Sequence, residues 1–243
     1  MELKVVSWNI HKGIGGFDRT YDLERIARLL IEEAPDIALL QEVADGWPTT
    51  QSHAQAHLLA EMTGLTNLVF EPEHRFRTGG YGNAILSRFP LQKRERVDLT
   101  CGWRKTRGAA QADVLIPVEN SEVKMQLTNL HLGLAESERR KQIERVLSHH
   151  RRLCQRSPAV IGGDFNDVFG TLGSRIEKDD IFVRAGERRH TFPAAFPLLS
   201  LDGIFASRVE IVNGAPAKTH LTRRASDHLP LTATIRLSPP FSD

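Results

Sequence analysis

The sequence predicts an α+β fold in which mixed or antiparallel β-sheets are covered by helices. Short apolar runs outnumber the segments that have helical periodicity. Several neighbouring runs are separated by connections of hairpin length, and a hairpin can join only antiparallel strands. These observations disfavour an entirely parallel, doubly wound sheet and favour mixed or antiparallel sheets with helices on their faces.

Strands are predicted where β-branched and aliphatic residues form short runs between turn residues. The run LKVVSWNI is β-branched and begins close to the N-terminus, and DIALLQEV predicts a second buried strand. The remaining predicted strands, in chain order, are YGNAILSRFPL, AAQADVLIPV, VKMQLTNLHL, AVIGGDF, SLDGIFAS, VEIVNGAPA and LPLTATIRL.

Three segments predict helices because apolar residues recur on one helical face. DLERIARLLIEEA is stopped by Pro35, SHAQAHLLAEMTG is a weaker helix closed by Gly64, and ESERRKQIERVLSHHRRLC is the clearest of the three. The shared face of the first carries Leu23, Ile26, Ala27 and Leu30, and that of the third carries Ile143, Val146, Leu147 and His150. The third also begins with glutamates and ends with arginines, an arrangement that complements the helix dipole.

The composition is ordinary for a soluble globular protein. The chain has 243 residues, of which 40% are hydrophobic and 26% charged. This length is enough to bury a core, as one large domain or two small ones. The formal net charge of +2 lacks the positive excess of a protein that binds nucleic acid by charge alone, although a local basic patch is compatible with it.

The lack of a recognisable targeting signal and the two separate cysteines favour a cytoplasmic protein. The N-terminal MELKVVSWNI has no basic leader and no long apolar stretch, so we expect no signal peptide. No run approaches the roughly 18 apolar residues that span a membrane. Cys101 and Cys154 lie far apart and have no metal-ligand spacing, which favours two free thiols over a disulfide.

Polar residues collect where the predicted strands end or begin. They are Asn9, His11, Glu42, Asn129, His131, Asp164, Asn166, Asp202, Asp227 and His228. Taken singly, each has an ordinary explanation: Glu42 as a surface carboxylate, His131 as a core histidine, or Asp227 as a turn cap. Taken together they predict a site, because strand ends gather at one edge of packed sheets, where ligands commonly bind.

The residue types in this set suit phosphate chemistry with a magnesium ion. Carboxylate and amide oxygens are the ligands that Mg²⁺ accepts, and a histidine beside an acid can transfer protons and neutralise charge. Other phosphate and metal motifs are missing: the sequence has no G-x-x-x-x-G-K-[ST], no H-E-x-x-H and no Cys/His zinc spacing.

Seven short motifs in order carry a family resemblance. They are SWNIH, LLQEV, GNAILSR, TNLHLG, GGDFND, LDGIF and SDHLPL, between about Val5 and Ile235. With them the chain resembles the endonuclease/exonuclease/phosphatase superfamily, which has the deoxyribonuclease-I-like fold. The resemblance implies one domain over residues 1–243. It also implies a four-layer sandwich, with two mostly antiparallel sheets face to face and helices outside, and metal-dependent hydrolysis of a phosphate ester.

The resemblance also implies a role for each site residue. It makes Asp164, His228, His131, Asp202 and Asn166 catalytic, Glu42, Asn9 and Asp227 metal ligands, and Arg107, Asn83 and His11 substrate-binding residues. Asp164 would activate the attacking water, and Asp202 would fix the tautomer of His228. Two of the substrate-binding assignments have equal alternatives: a structural role for Asn83 and a solvated position for Arg107. The implied cofactor is Mg²⁺, with Mn²⁺ as a substitute.

Three features favour a lipid-derived or other small phosphodiester as the substrate. His11 and His131 stand where the abasic-site endonuclease branch has an acidic residue and a tyrosine, and the stretch around Arg107 is similar to the RGA strand of sphingomyelinase-like members. The alternatives are a magnesium-dependent endonuclease or exonuclease and, more remotely, an inactive binding protein. Basic clusters such as HRFR and RKTR could contact a nucleic acid or an anionic lipid surface, or be solvated, and no obligate protein partner is evident. Phe192 and Phe196 could stack on a base, rest on lipid or lie in the core.

Overall fold

The computed structural model describes residues 1–119, 121–153, 157–179 and 181–238, which excludes Cys154. The strands are β1 (Glu2–Asn9), β2 (Ile37–Asp45), β3 (Asn67–Phe76), β4 (Gly79–Ser87), β5 (Leu91–Lys93), β6 (Val97–Asp98), β7 (Gly108–Val118), β8 (Ser121–His131), β9 (Ala159–Asp164), β10 (Val183–Arg184), β11 (Asp202–Ser207), β12 (Glu210–Pro216) and β13 (Leu231–Arg236). The helices are α1 (Leu23–Glu33), α2 (Gln55–Thr63), α3 (Glu136–Leu153), α4 (Thr171–Glu177) and α5 (Thr222–Ala225), with short 3₁₀ turns at His11–Gly13 and Pro48–Thr50.

The strands form two sheets that are mostly antiparallel. One has the order β12-β13-β1-β2-β4-β3, and the other has the order β10-β11-β9-β8-β7-β5, with β6 also paired to β7. Within each sheet, one pair among the described strands is parallel: β1 with β2, and β8 with β9. A helix connects each parallel pair, as a crossover between parallel strands requires. The predicted α+β sandwich is confirmed.

Three apolar clusters separate the layers of the molecule. The largest lies between the sheets and includes Val5, Leu39 and Val160. The second packs α1 and α2 onto the outer face of the first sheet, and the third packs α3 and α4 onto the second sheet. Because side chains alternate along a strand, β2 points Leu39 into the first cluster and Leu40 into the second. Burial on both faces explains why the central strands are continuous apolar runs.

Buried amides join the two sheets just below the site. The Gln41 side chain donates to Asn129 Oδ1 at 2.7 Å, and Asn129 Nδ2 donates to the carbonyls of Leu40 and Ala84, both at 2.8 Å. Asn129 is fully buried, so it is a bridge between sheets and does not reach the surface of the site. This bridge fixes the ends of β2 and β8 relative to each other.

None of the helices in the described ranges is both long enough and apolar enough to cross a membrane.

Candidate active site

A cavity of about 670 Å³ opens at the edge where β1, β2, β8 and β9 end. Eight of the eleven residues predicted for the site line it, namely Asn9, Glu42, Arg107, His131, Asp164, Asn166, Asp227 and His228. The other three, Asp202, Asn83 and His11, hold lining residues or their partners through hydrogen bonds. The structure therefore brings together side chains that are up to 219 positions apart in sequence, from Asn9 to His228.

Asp202, His228 and Asp164 form a buried chain of acid, imidazole and acid. His228 Nδ1 donates to Asp202 Oδ2 at 2.9 Å, and His228 Nε2 lies 3.7 Å from Asp164 Oδ2. Burial disfavours the charged ring, but the two carboxylates outweigh it and raise the pKa of His228 to about 10. His228 is therefore an imidazolium at neutral pH, with one N–H directed at each acid.

Asp164 ends β9 in a tightly packed position. A Cβ on Gly162 would meet Leu39 Cδ1 at 2.6 Å, so the glycine lets the two sheets approach just before the carboxylate. Asp164 accepts hydrogen bonds from the backbone N–H of Asn166 at 2.9 Å and from Asn9 Nδ2 at 3.2 Å. Burial raises the pKa of Asp164 to about 6, although the charge of His228 opposes the shift. This carboxyl can thus exchange a proton near neutral pH.

His131 is a neutral imidazole on the opposite side of Asp164. Its Nε2 lies 3.5 Å from Asp164 Oδ2, and its buried Nδ1 has no hydrogen-bond partner among the described residues. Burial, with the positive charge of Arg107, holds the pKa of His131 well below its ordinary value. His131 lines the cavity, so a neutral imidazole is available to an incoming ligand there.

Glu42 projects from a bulge in β2. The register with β4 shifts between Leu40 and Val43, and Glu42 has a φ of 53°, which is in the left-handed region. Burial opposes ionisation of Glu42, but the neighbouring His131 and the ammonium of Lys12 outweigh it and lower the pKa of the carboxyl to about 2. Since His131 is neutral at pH 7, Lys12 is the charge that persists. Non-glycine residues in this conformation cost about 1–3 kcal/mol and cluster at functional sites.

Lys12 is a site residue that the sequence reasoning missed. Its Nζ forms an ion pair with Glu42 Oε2 and lies 5.0 Å from the centre of the Tyr81 ring. Lys12 follows the SWNIH motif directly and has a φ of 58°. The position of Lys12 directly after a motif that contains the predicted metal ligand Asn9 was therefore a signal in the sequence. Its contact with Glu42 could not be inferred from the sequence.

Asn9 and Asp227 bring further oxygen atoms to the same wall. Asn9 Oδ1 accepts from the backbone N–H of His11 at 3.0 Å, and Asp227 Oδ1 lies 3.8 Å from His11 Nδ1. His11 Nδ1 is also 3.0 Å from the carbonyl of Ile14, so the ring is held at the back of this wall. Together with Glu42, these residues offer the hard oxygen donors that suit a divalent cation such as Mg²⁺.

A second group also has the spacing of a metal site. Asp164, Asp202 and His228 offer ligand atoms that all lie within 4.8 Å of one another, which is close enough to hold an ion. Within this group His228 Nδ1 and Asp202 Oδ2 are already paired with each other at 2.9 Å. The residues around Glu42 offer carboxylate and amide oxygens, the ligand type that Mg²⁺ prefers.

Arg107 is buried and paired. Its Nη1 lies 3.0 Å from Glu73 Oε2, and its Nε is buried without a partner among the described residues. Asn83 Nδ2 donates to Glu73 Oε1 at 3.1 Å and to the carbonyl of Gly108 at 3.0 Å. The alternative of a solvated Arg107 is therefore wrong. Asn83 holds the partner of Arg107 and does not itself line the cavity.

The mouth of the cavity is both basic and apolar; its RKTR cluster and Phe192 were candidate contacts in the sequence, whereas Trp103 and Leu134 were not predicted. Trp103, Arg104, Lys105, Leu134 and Phe192 line it. Phe192 is half-buried, with its ring centre 4.9 Å from that of His228. Lys105 Nζ donates to the Tyr81 hydroxyl at 2.6 Å, which places a second ammonium beside the aromatic ring that Lys12 also faces.

The sequence matches the Endonuclease/Exonuclease/phosphatase family over residues 6–228, a range that contains every predicted site residue. The chain belongs to this family. Its members are hydrolases that act on phosphate esters, nucleases among them, and dependence on a divalent metal is general in the family. The resemblance inferred from the seven motifs is confirmed at the level of the superfamily.

Similar proteins agree with this assignment over the full length. The uncharacterized protein YbhP from Escherichia coli (strain K12) is 31% identical over 249 residues, which covers 96% of both chains. An endonuclease/exonuclease/phosphatase from Beutenbergia cavernae has a TM-score of 0.78 at 23% identity, over 97% of this chain and 72% of that one. The mannosyl-6-phosphatase from Bacteroides thetaiotaomicron has a TM-score of 0.72 at 16% identity, over 97% of this chain and 100% of that one. The two structures show that the sandwich is shared.

Proposed function

We propose that this member of the family is a divalent-metal-dependent phosphodiesterase that hydrolyses a lipid-derived or other small phosphodiester. The observation that carries the proposal is the convergence of two kinds of group on one cavity. Oxygen donors that suit a cation lie on one wall, and a buried acid with a pKa raised to about 6 lies on the other, with an imidazolium beside it. Hydrolysis of a phosphate ester needs a charge-neutralising group and a base.

Glu42, Asn9 and Asp227 would hold the metal ion, with Mg²⁺ as the natural ion and Mn²⁺ as a substitute. Glu42 is the anchor because its carboxyl is ionised at every working pH. An ion held there would supply positive charge to neutralise the phosphate ester. The bulge at Glu42 directs its side chain into the cavity, whereas a regular strand position at that residue would change the direction of the side chain.

Asp164 would be the general base. It removes a proton from a water that attacks phosphorus, while the bond from phosphorus to the departing oxygen breaks. Asn9 and Asn166 hold the carboxylate in place through their N–H groups. The His228 imidazolium, oriented by Asp202, stabilises the negative charge that develops on the phosphoryl oxygens. His131 and Asn166 contact the phosphate or the departing oxygen.

The walls of the cavity support a small or lipid-derived diester. Arg104, Lys105 and Arg107 would neutralise the phosphodiester, and Trp103 and Leu134 offer an apolar surface for an ester group. This mixture suits an amphiphilic substrate more than a uniformly polar one. The similarity of the stretch around Arg107 to sphingomyelinase-like members supports the same branch of the family.

Nuclease activity is the second candidate, because exposed arginines continue the positive charge beyond the cavity. Arg75 at the end of β3, Arg77 in the turn that follows and Arg188 are exposed, and they could follow a nucleic acid backbone. An inactive binding protein is disfavoured, since the Asp164–Asn166 and Asp227–His228 pairs are both intact and face the cavity.

The proposal is tested with purified protein and bis-p-nitrophenyl phosphate. We expect turnover that requires Mg²⁺ or Mn²⁺, stops with a chelator and is lost in Asp164→Asn. A panel of plasmid, abasic duplex, phospholipid and inositol phosphates then separates the substrate classes. Efficient nicking of plasmid at physiological salt without turnover of any lipid or small ester would assign the protein to the nucleases. Absence of turnover on every member of the panel with either metal would reject the hydrolase.

A further inference from the structure

The exposed aromatic side chains of the described residues lie at one edge of the molecule. In the described ranges, five aromatic residues are exposed: Phe17 (77%), Phe76 (54%), Trp103 (97%), Phe169 (74%) and Phe196 (71%). We call this set the aromatic rim. A soluble protein seldom leaves so many large aromatic side chains in water without a partner for them.

Strand directions place all five at the edge that carries the cavity. Phe17 follows β1 and Phe169 follows β9, the strands that end at Asn9 and Asp164. Phe76 is in the β3–β4 hairpin, whose Gly80 pairs with Asp45 at the end of β2. Trp103 precedes β7, the antiparallel partner of β8, and Phe196 precedes β11, where Asp202 pairs with Asp164.

Two exposed leucines lie at the same edge as the rim. Leu134 follows β8 and is 79% exposed, and Leu198 lies two residues from Phe196 and is 59% exposed. Trp103 and Leu134 line the mouth of the cavity itself. Separate segments of the chain therefore contribute apolar side chains to the edge that carries the cavity, and two of these side chains line its mouth.

Basic side chains are interleaved with the rim. Arg75 and Arg77 flank Phe76, and Arg104 and Lys105 follow Trp103. Arg188 donates to the carbonyls of Asp167 and Val168 at 2.9 and 2.7 Å, which places a guanidinium beside the loop of Phe169. Aromatic side chains that enter the interface, with arginine and lysine among them, are typical of surfaces that bind anionic bilayers.

We propose that the aromatic rim docks the protein onto a bilayer that contains anionic phospholipid, with the mouth of the cavity facing the lipid. Nucleic acid is a poorer fit, because Leu134 and Leu198 cannot stack on bases and the aromatic residues come from five separate segments of the chain and not from one continuous strand or helix face. The net charge of only +2 is compatible with a basic surface that is confined to one edge of the molecule and contacts a membrane. Docking in this orientation would let the substrate enter the cavity from the lipid–water interface. This consequence, unlike the docking itself, rests on the proposed function.

Vesicle binding tests the docking without reference to catalysis. Asp164→Asn protein in chelator is mixed with vesicles of phosphatidylcholine alone or of phosphatidylcholine with phosphatidylglycerol, and bound protein is measured by sedimentation. We expect binding that requires phosphatidylglycerol and weakens as salt rises. Trp103 provides a second readout: its emission should shift to the blue on binding, and the shift should be lost in Trp103→Phe.

Two exposed rim residues outside the cavity wall give the decisive variant. Phe169→Ser combined with Phe196→Ser should weaken vesicle binding by roughly tenfold or more, because two apolar side chains no longer enter the interface. Its turnover of bis-p-nitrophenyl phosphate should equal that of the unmodified protein. The matched control is Ile31→Ser with Val183→Ser, two exposed apolar residues away from this edge, which should bind normally.

Three results would overturn the proposal. They are absence of binding to vesicles with phosphatidylglycerol, equal binding by the rim variant and the control variant, and binding of plasmid DNA in place of vesicles. The last result would assign the rim to nucleic acid. Because binding is measured on the Asp164→Asn protein in chelator, failure of the proposed hydrolysis leaves this test intact.

Discussion

The units β1–α1–β2 and β8–α3–β9 have the same connectivity, but the acids that they bring to the cavity are held differently. Each unit is a parallel pair of strands joined by a helix, and each brings a carboxylate near the end of its second strand, Glu42 in one and Asp164 in the other. Glu42 faces the ammonium of Lys12, and its pKa falls to about 2. Asp164 is buried against a second acid, and its pKa rises to about 6.

The difference shows how one architecture supplies two chemistries. A carboxylate that stays ionised is suited to a cation, and a carboxyl that exchanges protons near neutral pH is suited to general base catalysis. The first unit obtains its carboxylate geometry from a bulge in β2 and from an ion pair with Lys12. The second obtains it from fixed hydrogen bonds at full burial.

The largest effect should come from the second unit. Asp164→Asn and His228→Gln should each lower kcat by about 10²–10⁴, because they remove a base and a charge-stabilising group. The double variant should be little worse than the worse single one, since groups that act in one step are not additive. Asp167→Asn is the matched control: this acid of the same motif accepts from the backbone N–H groups of Leu172 and Gly173 at the start of α4, and it does not line the cavity. If the increases in activation free energy of the two single variants added up in the double variant, the two residues would not act in a shared step.

Removing the carboxylate of the first unit should act through the metal. Glu42→Gln should raise the Mg²⁺ concentration at half-maximal activity by roughly 10–100-fold, the scale on which groups that support a metal site act. Excess Mg²⁺ should recover part of the lost rate, which it should not do for Asp164→Asn. Asp45→Asn, an exposed acid at the end of the same strand, is the control and should leave the titration unchanged. An unchanged Mg²⁺ titration in Glu42→Gln would show that the ligand assignment is wrong.

The two acids should also separate in the pH profile. Asp164 must be ionised to accept a proton, so kcat/KM should fall as pH drops below about 6. His228 must be protonated, so activity should fall as pH rises through about 10. Because Asp164 and His228 interact, the two limbs of the profile belong to the pair and not to either residue alone. Glu42, with its pKa of about 2, should add no limb in this range. Asp202→Asn should move the alkaline limb to lower pH, and an alkaline limb that stays in place would contradict the role of Asp202.

The sequence predicted the frame of both units because their strands are buried on both faces. Continuous apolar runs identified β1, β2, β8 and β9, and the polar residues after those runs identified most of the cavity. The edge strand β3 was not predicted, because Pro72 and several charged residues interrupt it, and Pro72 lies at a register shift on the outer strand of its sheet. The short helix α4 was not predicted either, because it contains Gly173 and glycine has a low helix propensity.

Properties that depend on distant contacts could not be predicted. Asn129 and His131 are two residues apart in one motif, but Asn129 joins the two sheets and His131 faces the cavity. Trp103 stands beside the basic cluster RKTR, whereas Trp8 lies in an apolar run, but its place at the mouth of the cavity is decided by the rest of the fold. The opposite pKa shifts of Glu42 and Asp164 likewise come from neighbours far away in sequence.

The smallest effect should come from Lys12, and it concerns how the first unit keeps Glu42 ionised. The ammonium of Lys12 is paired with the carboxylate that would hold the metal, so a bound cation and Lys12 repel each other. Partly exposed ion pairs contribute about 0.2–1 kcal/mol, so Lys12→Met should tighten Mg²⁺ binding by roughly 1.5–5-fold without substrate. Isothermal titration of Mg²⁺ into the protein measures this directly, and Lys12→Arg, which keeps the charge, is the control. Weaker Mg²⁺ binding in Lys12→Met would show that Lys12 supports the metal site, and the first unit would then depend on a fixed network just as the second one does.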